Sequence, residues 1–169
     1  GMIVDKKYKL TDEFVLVGDR KLYRIQALKS FDIVRKGELG GFIESEQNLS
    51  HHDSAWVCDS AWVCDSARVY GSAWVGGSAW VCDSARVYDS ARVSKKCKNT
   101  PLFLTGGSIP HSMTVTDKHI RVGCETHTLK KWKKNGVSII REDGHSEKDA
   151  KRWLKIILTL GSLHMESIK

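Results

Sequence analysis

The sequence predicts a mainly β protein: a short parallel β-helix with three strands per coil, an N-terminal β cap and a small C-terminal α+β unit. Three observations support this prediction. A six-residue unit occurs seven times between Asp53 and Ser94, the repeat has a second period of eighteen residues, and basic charge is concentrated after the repeat. We assign residues 2–48 to the cap, 49–98 to the repeat and 99–169 to the C-terminal unit, which contains a hairpin and two helices.

The cap is predicted from two strand-like segments near the N-terminus. EFVLV and LYRIQAL are rich in aliphatic residues and are separated by the turn sequence GDRK, so residues 8–30 are expected to form a hairpin. The glycines of the following segment, GELGGFIES, are expected to allow backbone segments to approach closely. Ile43 and Leu49 lie twelve and six residues before Ala55 and are predicted to share the register of the repeat alanines. This segment would cover the open edge of the first coil.

The repeated unit is Asp/Gly-Ser-Ala-Trp/Arg-Val-x. Its alanine and valine are two residues apart and invariant, so on a strand both side chains point to the same side, which we expect to be the inside. The tryptophan or arginine between them then points outward. Asp-Ser and Gly-Ser are turn sequences, so each unit is predicted to form one short strand and one corner.

The eighteen-residue period predicts which outward side chains stack. Residues 53–70 and 71–88 match at fifteen of eighteen positions, so three units would make one coil. The expected stacks are Trp56 with Trp74 and Arg92, Trp62 with Trp80, and Arg68 with Arg86. Exposed tryptophan and arginine are typical of protein interfaces, so these seven residues form the predicted contact surface. The alternative is that another part of the chain covers one of these faces.

The tandem pattern Val-x-x-x-Ala-x resembles the hexapeptide repeat of left-handed parallel β-helices, best known from acyltransferases. The resemblance covers about a quarter of the chain and implies a left-handed coil. The flanking segments KGELGGFIESEQNLS and HIRVGCETHTLKKW are similar to uncharacterised hexapeptide-repeat proteins of phages and prophages, which implies no established activity.

The sequence assigns no catalytic residue and no cofactor. Acyltransferases that share the repeat use a histidine as a general base, but here no loop interrupts the seven units and none of the histidines matches a family motif. The histidines considered are His51, His52, His111 and His119. An acyltransferase-like enzyme therefore remains an alternative without assigned residues.

The cysteines predict neither a metal site nor a disulfide. Cys124 and His127 have ligand spacing, but no second ligand pair accompanies them, so no metal is expected. Cys64 and Cys82 would be stacked neighbours with parallel side chains, which suits a disulfide poorly. An odd number of scattered cysteines is typical of a reducing compartment. With no signal sequence and no apolar run near ~20 residues, we expect a cytoplasmic protein without a membrane partner.

The C-terminal unit is predicted to contain a hairpin and two helices. MTVTDKHIRVGC would turn at Asp117-Lys118, and THTLKKWKKNG would form a short helix that begins at Thr126 or Thr128 and ends at Gly136. SEKDAKRWLKIILTLGSLH would form the second helix, opened by Ser146. Residues 94–169 hold fifteen basic and seven acidic side chains.

A basic patch is predicted on these helices. It comprises Lys130, Lys131, Lys133, Lys134, Lys151 and Arg152. Such a patch can neutralise phosphates, although no nucleic-acid-binding motif accompanies it. We therefore predict a non-enzymatic binding or assembly protein related to phages or prophages, whose partner is another protein or further copies of itself in a dimer or trimer. Nucleic-acid binding through the basic helices is the second alternative.

Overall fold

The computed structural model describes residues 5–106 and 109–169. The chain divides into two compact units, residues 1–101 (unit 1) and 102–169 (unit 2). The elements of unit 1 are β1 (Tyr8–Val17), β2 (Arg20–Ala27), β3 (Leu39–Ile43), a 3-10 turn (Glu46–Asn48), β4 (Trp56–Val57), β5 (Trp62–Val63), β6 (Arg68–Val69), β7 (Trp74–Val75), β8 (Trp80–Val81), β9 (Arg86–Val87) and β10 (Arg92–Val93). Those of unit 2 are β11 (Leu102–Leu104), β12 (Met113–Val115), β13 (His119–Val122), β14 (Glu125–Thr128), α1 (Leu129–Glu142) and α2 (Glu147–Ser167).

The predicted fold class, a mainly β protein built on a left-handed parallel β-helix, is wrong. The described residues form a mixed structure of several small, separate sheets with parallel, antiparallel or mixed pairing, together with two helices. The repeat strands β4 to β10 are only two residues long, and they do not form a continuous parallel coil. The physical reason is that only two of the six residues in each unit adopt strand conformation, while the Asp/Gly-Ser pair of each unit forms a turn.

The inside and the outside of the repeat follow the prediction. Strands eighteen residues apart pair in parallel, so that Trp56 lies opposite Trp74 and Trp74 lies opposite Arg92. The pairs Trp62–Trp80 and Arg68–Arg86 are formed in the same way. The alanine and valine of every unit are at most 2% exposed. These small and β-branched side chains therefore make the dry interior of the repeat.

Left-handed backbone explains why every unit begins with aspartate or glycine. The first residue has φ between 52° and 58° in the five units that begin with aspartate, and 65° and 59° at Gly71 and Gly77. Glycine adopts this conformation freely, and aspartate is among the few other residues that tolerate it. The corner chemistry predicted from Asp-Ser and Gly-Ser thus rests on a backbone requirement of the first residue.

The N-terminal hairpin is confirmed. Strand β1 pairs with β2 antiparallel across Gly18-Asp19, β2 pairs with β3, and β3 pairs in parallel with β5 of the repeat. A Cβ atom on Gly40 would lie 2.6 Å from the carbonyl oxygen of Val57, and one on Gly41 would lie 2.5 Å from that of Ala61. The two glycines therefore permit the close backbone approach that their sequence predicted.

The register predicted for Ile43 and Leu49 is wrong. Ile43 pairs with Val63 and Leu49 with Val69, so both residues stand in the valine register rather than the alanine register. The offset is twenty residues instead of eighteen, because the segment from Leu49 to Val57 is two residues longer than one repeat step.

Unit 2 packs two helices against the antiparallel sheet β11-β12-β13-β14, and the predicted hairpin is its β12-β13 pair. The Thr128 hydroxyl accepts a hydrogen bond from the Lys131 amide and caps α1. This helix does not end at Gly136 as predicted, because Gly136 is buried where α1 packs against Leu154 of α2. The Ser146 cap of α2 is confirmed.

The core of unit 2 is built around Trp132. Its ring is 1% exposed, and its indole N–H donates to the carbonyl oxygen of Ile120 at 2.8 Å. Met113, Ile120 and Ile157 are buried in the same cluster. Neither described helix is long and apolar enough to cross a lipid bilayer.

Candidate functional site

Unit 2 contains a pocket of about 460 Å³ at the C-terminal end of α1. The buried side chains of Trp132 and Ile140 form part of its apolar wall, and His111, Asp143 and His145 lie along another part of its lining. An apolar wall beside a few convergent polar groups is the usual composition of a small-ligand site.

His111, Asp143 and His145 come together in this pocket. The Nε2 atom of His111 lies 2.8 Å from Oδ2 of Asp143, and Nε2 of His145 lies 3.2 Å from the same oxygen. The two imidazole rings meet edge to face, with centroids 5.9 Å apart. We call this group the His-Asp-His cluster. It places two imidazoles around one carboxylate oxygen at the mouth of the pocket.

The ends of the helices position Asp143 and His145. Asp143 is the C-cap residue of α1, Gly144 follows with φ of 93°, and Ser146 then caps α2. The single left-handed glycine turns the chain so tightly that the residues on either side of it share one surface. The His145 ring packs edge-on against Trp153 with centroids 4.5 Å apart, which fixes its orientation.

His111 reaches the cluster from the loop before β12. Its ring lies beside Gly123, where an added Cβ would come within 3.3 Å of the ring carbon Cγ. Any larger residue at this position would crowd the imidazole. The hydrogen bonds from His111 and His145 to Asp143 lower the pKa of this carboxyl below its ordinary value. The cluster therefore presents an ionised carboxylate at neutral pH.

Sequence reasoning missed the His-Asp-His cluster. His111 is separated from Asp143 by 32 residues and follows no ligand spacing, so only the tertiary fold brings them together. The pair with ligand spacing in the sequence, Cys124 and His127, does not belong to this cluster. Nε2 of His127 lies 2.6 Å from Oε2 of Glu125, and Cys124 is an exposed free thiol that lines the pocket.

A second cluster of ligand-type side chains lies in unit 1. It consists of Asp65, Cys82 and Asp83. Its central carboxylate is already used, because Asp65 forms an ion pair with Arg20 and accepts a hydrogen bond from the Asp83 amide at 3.0 Å. These contacts satisfy the cluster as part of the repeat. No disulfide joins Cys64 and Cys82.

The tryptophans of the predicted contact surface differ in exposure. Trp56 is 1% exposed because Phe31 and Tyr8 pack against it edge-on, so the prediction that Trp56 belongs to an exposed surface is wrong. Trp62 and Trp74 are half-buried. Trp80 is 40% exposed and stacks obliquely on Trp62, with centroids 4.6 Å apart.

The arginines of the predicted surface are all exposed. Arg92 lies over the Trp74 ring at 5.2 Å, which ties it to that face. Arg68 and Arg86 stand directly opposite each other on paired strands. Tyr70 and Tyr88, which directly follow these two strands, stack with centroids 5.3 Å apart and planes 13° from parallel. We call these last four residues the arginine–tyrosine face.

The six residues of the predicted basic patch are exposed on α1 and α2. Lys151 forms an i,i+4 ion pair with Glu147, and within the described ranges no other member of the patch has a carboxylate at ion-pair distance. On α2, Lys148, Lys151, Arg152 and Lys155 are spaced to share one side of the helix.

His51 has a structural environment in unit 1. Its ring stacks on Tyr8 with centroids 4.1 Å apart, and its Nδ1 accepts a hydrogen bond from the Lys7 amide. Burial lowers the pKa of His51. His52 is exposed, and His119 lies on β13 of the unit 2 sheet. The four histidines considered from the sequence are thus distributed over separate places, and only His111 belongs to a cluster with a pocket.

No protein-family model matches this chain, and no curated protein sequence matches it.

Proposed function

We propose that this protein binds an acidic protein partner through the arginine–tyrosine face of unit 1. The observation that carries the proposal is the parallel pairing of Arg68 with Arg86, which places two exposed arginines opposite each other on neighbouring strands. The function is one of binding, without a catalytic step.

Among the described residues, no carboxylate forms an ion pair with either of the paired arginines. Within residues 5–106 and 109–169, neither Arg68 nor Arg86 has a carboxylate at ion-pair distance, and the nearby Asp65 is engaged by Arg20. Like charges directly opposite each other on paired strands are destabilising, by roughly 0.2–1 kcal/mol. A partner that supplies two carboxylates at the strand spacing would remove this repulsion and form charge-assisted hydrogen bonds with both guanidinium groups.

The side chains on the inner side of the arginine–tyrosine face are buried. Val69 and Val87, which lie on the inner side of the same two strands, are fully buried, and Ala67 and Ala85 are 1% exposed. Tyr70 and Tyr88 add a stacked pair of amphipathic rings beside the charges, of which Tyr88 is 39% exposed. Arginine and tyrosine are the residue types that contribute most to binding energy in protein interfaces.

Charge favours an acidic partner over a second copy of the chain. The protein has a formal net charge of +7, so two copies that meet through an arginine-bearing face repel each other. A dimer or trimer through this face, which the sequence also predicted as an option, would need carboxylates from elsewhere on the surface. Relation to a phage or prophage remains a prediction from resemblance alone.

The test measures binding of a fluorescein-labelled oligoglutamate peptide by anisotropy at low and high salt. Arg68→Glu combined with Arg86→Glu should weaken binding at least about tenfold, which corresponds to the loss of roughly 1.4 kcal/mol. The matched control is Lys130→Glu with Lys133→Glu, which makes the same change in net charge on unit 2. If both variants weaken binding equally, the peptide responds to net charge and the proposed face is refuted.

The molar mass from light scattering on the same samples distinguishes self-association through this face from binding of an acidic partner. A wild-type mass of a dimer or trimer that falls to a monomer in the Arg68→Glu, Arg86→Glu variant would assign the face to self-association instead. A monomeric mass in both proteins supports a different, acidic partner.

Nucleic-acid binding is a second candidate, favoured by the exposure of all six residues of the basic patch. A lysine-rich surface of this kind binds phosphates without sequence preference, and its affinity falls steeply as salt rises. Lys131→Glu with Lys134→Glu should abolish binding of a labelled duplex oligonucleotide, while Arg68→Glu with Arg86→Glu should leave that binding unchanged. Binding that survives the lysine changes would eliminate this candidate.

A further inference from the structure

The His-Asp-His cluster has the composition of a metal site. Its ligand atoms are two imidazole nitrogens and one carboxylate oxygen, and they all lie within 4.8 Å of one another. Imidazole with carboxylate is a donor set that suits divalent zinc, iron, cobalt and nickel. Among the described residues, no lysine or arginine forms an ion pair with Asp143, in contrast to Asp65, which is held by Arg20.

The spacing of these atoms also fits a metal ion. Zinc binds imidazole nitrogen and carboxylate oxygen at about 2.0–2.2 Å, so two ligands of a tetrahedral ion lie about 3.3 Å apart. The carboxylate oxygen of Asp143 lies 2.8 Å from Nε2 of His111 and 3.2 Å from Nε2 of His145. Movements of a few tenths of an ångström in exposed or half-buried side chains would open this group around an ion.

We propose that His111, Asp143 and His145 bind one divalent transition-metal ion, with Zn²⁺ as the first candidate, and leave a coordination position open to the pocket. Sites with three protein ligands and a free position bind exchangeable ligands, whereas structural zinc sites are closed by four. The pocket of about 460 Å³ beside the cluster provides the space for such a ligand.

The pocket lining indicates the kind of ligand. Trp132 and Ile140 supply an apolar wall, and the three metal ligands stand at the polar side. A small molecule with an apolar body and a carboxylate, hydroxamate or thiolate head would place its head on the metal and its body against the wall. Cys124 lines the same pocket, so an additional thiolate ligand from the protein would be seen as a sulfur-to-metal charge-transfer band.

Without a metal, the same distances describe a hydrogen-bonded group in which both imidazoles donate to one carboxylate oxygen. The two descriptions differ in a measurable way. A hydrogen-bonded group stabilises the end of α1 but does not bind Co²⁺ or Zn²⁺ specifically, whereas a metal site binds one ion and needs all three residues.

The first experiment titrates chelator-treated protein with Co²⁺ and follows the visible d–d absorption, then displaces Co²⁺ with Zn²⁺ in a chelator competition. We expect one ion per chain, with affinity reduced roughly tenfold or more in His111→Ala, Asp143→Asn and His145→Ala, since even loss of groups that only orient metal ligands has effects of this size. The matched control is His127→Gln, which removes a carboxylate-bound histidine of the same unit outside the cluster. Circular dichroism verifies the helices of each variant.

A second measurement uses the unaltered protein and does not depend on the folding of a variant. Substoichiometric Mn²⁺ should broaden the amide NMR signals of residues near His111 and of residues 143–145 before those near Glu125 and His127. Absence of a cobalt spectrum, broadening centred elsewhere, or equal Co²⁺ affinity in wild type and Asp143→Asn would each overturn the proposal and leave the hydrogen-bonded group.

Discussion

The buried ammonium group of Lys7 predicts a specific dependence of stability on pH. Lys7 is 1% exposed, and its Nζ donates to the carbonyl oxygen of Ala55 at 2.6 Å, with those of Asp53 and His52 at 3.3 and 3.4 Å. Burial lowers the pKa of this group from 10.5 to about 8, although Asp53 attracts the charge. The folded protein therefore carries a charged, poorly solvated group at neutral pH and a neutral amine above pH 8.

The sign and size of the effect follow from proton binding. Between the two pKa values the unfolded chain binds a proton that the folded protein does not, so the free energy of unfolding rises with pH. The whole difference between the pKa values corresponds to about 3 kcal/mol. Between pH 7 and pH 10, before the unfolded lysine has lost its proton fully, we expect unit 1 to gain about 2–3 kcal/mol from this group.

The assay compares wild type with Lys7→Met, whose unbranched side chain is one atom shorter and cannot titrate. Urea unfolding followed by tryptophan fluorescence gives the free energy of unfolding of each protein across this pH range. Subtraction removes the titration of every other group, so the difference should shift in favour of wild type by about 2–3 kcal/mol. A difference that stays constant with pH would refute the argument that Lys7 is buried as an ammonium group.

Three further substitutions test the packing. Gly41→Ala should lower the free energy of unfolding by about 2 kcal/mol or more, because the added Cβ meets the Ala61 carbonyl. The control is Leu39→Ala, at an exposed position of the same strand. Equal effects of the two substitutions in urea unfolding would contradict the contact. Trp132→Phe should lower the free energy of unfolding, measured by thermal unfolding, by about 2 kcal/mol, since the Ile120 carbonyl loses its donor. A loss below about 0.5 kcal/mol would show that this hydrogen bond does not stabilise unit 2. Asp89→Val should lower the free energy of unfolding by roughly 1–2 kcal/mol, because Asp89 has a positive φ, whereas Asp89→Gly should not lower it. Equal melting temperatures of these two variants would argue against a strained corner.

Local signals in the sequence predicted local structure correctly. The GDRK turn, the Asp117-Lys118 turn and the Ser146 cap were found because turns and caps depend on a few adjacent residues. The invariant alanine and valine also identified the interior of the repeat. The fold class was wrong because a repeat period alone does not show how few residues of each unit pair as a strand.

Features that depend on distant contacts could not be predicted in this way. Gly136 reads as a helix end in sequence, but the packing of Leu154 makes it an interior residue of α1. Trp56 reads as an outward residue, and Phe31 covers it from a loop that precedes β3. The His-Asp-His cluster depends on the approach of the loop before β12 to the end of α1, which no spacing in the sequence encodes.

The left-handed corners of the repeat have a consequence at the level of the gene. The aspartate codon GAT differs by one nucleotide from GGT for glycine and by one nucleotide from AAT for asparagine. These three amino acids are also the ones that left-handed backbone accepts most readily. A point mutation in an aspartate codon that opens a unit can therefore place glycine or asparagine there, both of which the corner accepts. Asp53, Gly71 and Asp89, which open three successive eighteen-residue periods, show this exchange within a single chain.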